Sequence, residues 1–145
     1  MGVVNFFGEF REGGPVTLVG MLMHPDEITL VDQANVTNWD INVYDNDSAT
    51  PTTAVWSVAD NANTVGFTNG KTTGKYETAA PNGYTFLNII RHDETDDNTV
   101  NWDTVAIGGR RYRFEVVVTA ADEELDNYAW VWFADCVDRT TGTIS

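Results

Sequence analysis

From Arg110 to Thr119 the chain alternates without a break: Tyr112, Phe114, Val116 and Val118 fall on one side, Arg111, Arg113, Glu115 and Val117 on the other. Period-two alternation of this length belongs to a strand with one face buried. Each inward residue contributes on the order of 1.5–3 kcal/mol when fully buried. No apolar pattern of helical period longer than two turns occurs anywhere in the chain, so the apolar face has to be covered by other strands. The class is therefore all-β.

The rest of the chain supplies those strands, separated by Gly, Pro, Asn and Asp clusters. Val16–Met23 stops at His24-Pro25-Asp26, and Ile28–Val31 is a short second segment. Val36–Asp45 places Trp39, Ile41 and Val43 on one face and Asn38, Asp40 and Asn42 on the other. Ala54–Val58 and Lys75–Thr78 are weaker patterns. Asn82-Gly83 reads as a turn feeding Tyr84–Ile90, which is apolar on both faces, and Tyr128–Asp135 closes the series. About eight to ten short strands predict a two-layer antiparallel β-sandwich, of jelly-roll or immunoglobulin-like type. The Asn82-Gly83-Tyr84 segment is similar to the corner at which a tyrosine hydroxyl ties loop to strand in immunoglobulin-like sandwiches. Cys136 is the single cysteine, so the inter-sheet disulfide of a true immunoglobulin domain is excluded.

A chain of 145 residues suits one domain, which at this size buries roughly 68–70% of its unfolded surface. No repeat or linker divides it. Val3–Phe10 is apolar and closes on Arg11-Glu12-Gly13-Gly14-Pro15, a break that sets residues 1–14 apart as an arm or an edge strand before a single sandwich domain over 15–145. Phe6, Phe7 and Phe10 either anchor this arm on a neighbouring subunit or belong to the domain's own first strand.

Asp and Glu number 22 against 8 Lys and Arg, a net charge of −14. That field repels phosphate and anionic lipid, so neither a nucleic acid nor a membrane is an expected partner. Hydrophobic residues make up 42% of the chain and aromatics 12%, too many for a disordered acidic tail. The acid is a surface property of a folded body. No run approaches the ~20 apolar residues needed to span a bilayer, and Met1–Phe10 has no basic, signal-like start.

Catalytic signatures are missing. His24 and His92 are the only histidines, no Cys/His spacing suits zinc, and no nucleophile elbow or phosphate-binding glycine loop follows a strand. The chain is expected not to be an enzyme and to need no cofactor. Asp93-Glu94-Thr95-Asp96-Asp97-Asn98 and Asp45-Asn46-Asp47 hold hard oxygen ligands, without EF-hand spacing. They are either solvated acidic loops or weak Ca²⁺ sites.

Two further clusters point to a partner. Tyr128, Trp130 and Trp132 alternate with Ala129, Val131 and Phe133, so the last strand is apolar on both faces. Either it lies centrally beneath the N-terminal arm, or one face is an interface of the aromatic kind found in hot spots. Arg110, Arg111 and Arg113 form a basic cluster that either pairs with the chain's own acids or docks an acidic neighbour.

Gly-Pro-Val-Thr-Leu (14–18), Ile-Asn-Val-Tyr-Asp (41–45), Pro-Asn-Gly-Tyr-Thr-Phe (81–86) and Gly-Gly-Arg-Arg-Tyr-Arg-Phe-Glu-Val (108–116) follow one another in this order. In style and order the series resembles the small β-sandwich structural proteins of tailed bacteriophages, head decoration or cement proteins and some tail components. The resemblance implies a non-enzymatic virion subunit, often trimeric. Such a subunit would be assembled in the host cytoplasm and would bridge neighbouring major capsid proteins on the capsid exterior. The alternative is a carbohydrate-binding or adhesion sandwich, in which Trp56, Trp102, Trp130 and Trp132 stack on sugar rings.

Overall fold

The computed structural model describes residues 3–20, 35–71, 84–120 and 128–138. Eight strands occur there: β1 Val3–Arg11, β2 Val16–Gly20, β3 Val36–Asp45, β4 Ala54–Ala62, β5 Phe67–Lys71, β6 Tyr84–Ile90, β7 Arg111–Ala120 and β8 Tyr128–Val137. They form a five-stranded sheet, β1-β8-β7-β3-β4, and a three-stranded sheet, β2-β6-β5. The two sheets pack face to face, as an all-β sandwich requires. The expected strands Ile28–Val31 and Lys75–Thr78, the Asn82-Gly83 turn and the side chains of Phe6, Phe7, Tyr128 and Trp130 lie outside the described residues.

Set β1 aside and the remaining strands fall, in chain order, as B, C, C′, D, E, F and G of an immunoglobulin-like sandwich. B-E-D makes one layer and G-F-C-C′ the other. Side-chain chemistry follows the same plan. Tyr112, fully buried at the start of β7, accepts a 2.8 Å hydrogen bond on its hydroxyl from the Ile107 amide, five residues upstream. That is a tyrosine corner, made here by Tyr112; the Asn82-Gly83 turn and the Tyr84 side chain lie outside the described residues. Two residues further on, where antibody domains place the strand-F cysteine, stands buried Phe114. Trp39 supplies the strand-C tryptophan. Its ring meets Phe86 of the other sheet edge-on at 5.1 Å, and its indole N–H is shared between the Ala62 and Val65 carbonyls at 3.2 and 2.9 Å. Packed aromatics thus hold the layers together where a disulfide would.

The alternation read from sequence is the alternation of burial. Tyr112, Phe114, Val116 and Val118 are buried, as are Trp39, Ile41 and Val43 opposite them. Gly66 is required where the chain turns toward β5. Its φ is +81°, and an added Cβ would lie 3.1 Å from both the Phe86 and Trp39 rings. β5, with sequence Phe-Thr-Asn-Gly-Lys, lacked a readable pattern and pairs with β6 in a broken register.

One pairing departs from the antiparallel expectation. β1 runs parallel to β8 in unbroken register, from Val3 beside Ala129 to Arg11 beside Val137. Residues 3–11 are therefore an edge strand of the domain itself, and Phe10 is a core residue. Its ring lies 5.7 Å from Phe114 and 5.9 Å from Tyr112, both edge-on.

Candidate functional site

Of the residues singled out for partner contact, Arg111 and Arg113 lie on the outer face of the β8-β7-β3 sheet, Phe10 and Trp132 are buried in the core, and Arg110 stands just before β7. Register aligns that face in rows. Phe133 of β8, Arg113 of β7 and Tyr44 of β3 stand side by side, with Phe7 of β1 at the register position beyond Phe133. Val131, Glu115 and Asn42 form the next row, and Ala129, Val117 and Asp40 the one after. Phe133, Val131, Val117 and Tyr44 are half-buried by their neighbours. The Arg113 guanidinium carbon lies 4.3 Å from the centre of the Tyr44 ring, a cation–π contact. Burial and the Glu115 carboxylate together push the Tyr44 phenol above its ordinary range.

Trp132 does not share this face. It is 7% exposed and packs inward, 6.4 Å from Phe86. Its position is a correction to the expected aromatic interface, and the reason is geometric. Adjacent strand residues point to opposite faces, so the strand that presents Val131 and Phe133 outward must send Trp132 to the core. Trp56 and Trp102 are buried as well, in edge-on contact at 5.3 Å. Both are locked by their indole N–H groups, Trp56 to the Val100 carbonyl at 3.1 Å and Trp102 to the Gly14 carbonyl at 2.9 Å. Of the tryptophans named for sugar stacking, these three are structural.

Two of the arginines pair internally. Arg110 donates to Asp45 at 2.8 Å, and Arg111 donates to Asp135 at 2.8 Å. The Arg111 hydrogen bond, more than the charge alone, holds the Asp135 carboxyl below its usual range. Each pair is exposed on its arginine side and is worth little by itself. Arg113 is the member of the cluster that joins the apolar rows.

The acidic loops turn inward for their hydrogen bonds. Asp96, 8% exposed, accepts the Asn98 and Val100 amides on Oδ1 at 2.9 and 2.8 Å and the Ser57 amide on Oδ2 at 3.3 Å. Asp97 accepts the Ala59 amide at 2.8 Å and donates its own to the Ser57 carbonyl at 3.0 Å. Ser57 and Ala59 belong to β4, the edge of the five-stranded sheet, and the loop satisfies their outward-facing backbone groups. Its carboxylates thus cap a sheet edge. Asp45 is similarly engaged, by the Asp47 amide at 2.9 Å and by Arg110. Among the described residues, no cluster of three or more His, Cys, Asp or Glu is placed to hold a metal ion. Nor is any helix there long and apolar enough to cross a membrane.

A further feature gave no signal in the sequence. Between the edge strands β1 and β2 the sandwich opens into a cleft of about 310 Å³, lined by Gly8, Phe10, Val16, Leu18, Phe114 and Trp132 among others. Gly8 sits in register with buried Ala134, and a Cβ built on it would meet no atom within 4 Å. A glycine inside a strand is a sign of close approach or of missing volume. Here it marks missing volume.

Comparison with known proteins adds no assignment: no protein-family profile, curated protein or solved structure matches this chain.

Proposed function

We propose that this chain is a non-enzymatic structural subunit of a virion, a decoration or cement protein. It docks on neighbouring major capsid proteins from the capsid exterior. The observation that carries the reading is the outer face of β8-β7-β3. A solvated face of an antiparallel sandwich is polar, whereas this one sets Phe133, Val131, Val117 and Tyr44 among Arg113 and Glu115, with Asn42 and Asp40 along its β3 side. Such a surface, with apolar and aromatic side chains beside an arginine, suits a protein partner. The net charge of −14 keeps the subunit soluble and repels packaged nucleic acid, which favours the outside of a shell. Copies arranged as a homo-oligomer, a trimer by the phage resemblance, would present several such faces to one shell. The carbohydrate-binding alternative loses three of the four tryptophans it called on, because Trp56, Trp102 and Trp132 are buried.

Add-back to coat shells assembled without this chain tests the reading. Saturable co-sedimentation at a fixed ratio to the coat protein, with higher shell stability to heat, is the expected result. Absence of capture together with specific retention on a glycan array would overturn it.

A further inference from the structure

Two neighbouring rows on the outer face of β8-β7-β3 differ in kind and complement each other. One is Phe133, Arg113 and Tyr44; the next is Val131, Glu115 and Asn42. Arg110 and Arg111 are each paired with a carboxylate of their own chain. Arg113 stacks instead on Tyr44, within its own row, and Glu115 stands in the row beside it.

A two-fold axis brings residue i of one copy to residue j of the other, and j to i. Let two such sheets pack face to face, with the axis crossing the strands between these two rows. Strand directions then reverse while strand order is kept, so β7 lies over β7, β8 over β8 and β3 over β3. Arg113 meets the second copy's Glu115, Phe133 meets its Val131 and Tyr44 meets its Asn42, each contact occurring twice. A single axis thus matches charge with opposite charge, apolar with apolar, and a phenol with an amide.

Two acidic bodies repel each other, and they touch best where that charge is thinnest. The outer face of β8-β7-β3 sets two arginines, Arg111 and Arg113, against three carboxylates, Asp40, Glu115 and Asp135, a balance of −1 on a chain of −14. Charges elsewhere are screened beyond about 8 Å at physiological salt. Area is sufficient as well. The sheet has five strands of nine or ten residues. At about 4.8 Å between strands and about 3.3 Å per residue its outline is roughly 800 Å², about what each partner buries in a standard interface.

We infer that free copies of this chain pair through this face, as a two-fold dimer centred on reciprocal contacts between Arg113 and Glu115. If the chain docks on a shell by the same face, as proposed above, the pair must separate first; the pairing itself does not depend on that reading.

Analytical ultracentrifugation of the full chain across a concentration series, at physiological salt, is the test. An equilibrium between monomer and dimer is expected. Arg113→Glu and Glu115→Arg should each weaken the dimer about tenfold, because each places like charges across the axis. Both substitutions in one chain exchange the charges and should restore the dimer, and a mixture of the two single variants should form a mixed pair. Circular dichroism and Tm of these outward-facing variants should stay native. A wild type that is monomeric throughout, or trimeric, overturns the inference. So does a dimer that ignores both single substitutions, or a folded double variant that fails to pair. Shell capture by a wild type that never pairs keeps the proposed function and removes this inference; pairing without shell capture does the reverse.

Discussion

The Tyr112 hydroxyl accepts the Ile107 amide at 2.8 Å, and the loop between them is held from its other side by Glu12, whose carboxylate accepts the Gly108 amide at 2.6 Å. Gly108 lies so close to the chain after β8 that an added Cβ would fall 2.4 Å from the Asp138 Cα. The corner therefore ties three parts of the sandwich together: the end of β1, the entry to β7 and the exit of β8. Tyr112→Phe removes one acceptor and leaves the part-buried Ile107 amide unsatisfied. Urea unfolding should show a loss of about 1–3 kcal/mol, with the far-ultraviolet spectrum unchanged.

Asp96 carries three backbone amides on one buried carboxylate. It also fixes the turn in which Thr99 is forced to a φ of 65°, an unusual conformation for a β-branched residue. Asp96→Ala should cost on the order of 3 kcal/mol. It should also uncover the β4 edge, so that aggregation near the unfolding midpoint becomes concentration-dependent. Added calcium should restore neither property. Recovery of Tm by calcium in the wild type but not in Asp96→Ala would identify the loop as an ion site and not an edge cap.

Cys136 faces the core, 3% exposed, and burial, reinforced by Glu12 and Asp138, pushes its thiol up to about 11 from the ordinary 9.0. The native chain should resist iodoacetamide at pH 8 and react on unfolding. The sign of the pH dependence follows from the direction of the shift. The folded state holds the thiol proton more tightly than the unfolded chain does. The stability linked to this group is therefore fully present below about pH 9 and is lost as pH rises toward 11. Cys136→Ala should flatten that part of the stability profile, with a Tm series across the interval as the measurement.

The central strands were legible because their one-sided burial writes a local pattern. β3 has the bounds its alternation predicts and β6 those of its apolar run, and the burial of Trp39, Ile41 and Val43 follows from spacing alone. Long-range relationships leave no such trace. Tyr84 follows Gly83 and Tyr112 stands three residues after Gly109, and only the fold reveals that the Ile107 amide lies under Tyr112. The acids of 93–98 are consistent with a solvated loop, an ion site or an edge cap until Ser57 and Ala59 are found beside them. β5 escaped notice because five residues with one aromatic and one glycine carry no period. The cleft escaped for a related reason: a vacancy beside Gly8 is a property of what surrounds the glycine.

Trp132 and Phe133 are neighbours on β8 with opposite roles, and substituting each by aspartate separates core from contact surface. Trp132 is buried against Phe86 and lines the cleft floor. A carboxylate there would have to be desolvated without a partner, so Trp132→Asp should leave no cooperatively folded domain at room temperature. Phe133 faces outward, half-buried beside Arg113. Phe133→Asp should cost about 1 kcal/mol of stability, because the new carboxylate stays hydrated and can pair with Arg113. On the partner side the effect reverses. A charge added among the apolar side chains of this face must be desolvated when the interface closes, so Phe133→Asp should lower capture by coat shells at least tenfold while the chain remains folded. Capture that survives Phe133→Asp would move the interface off this face.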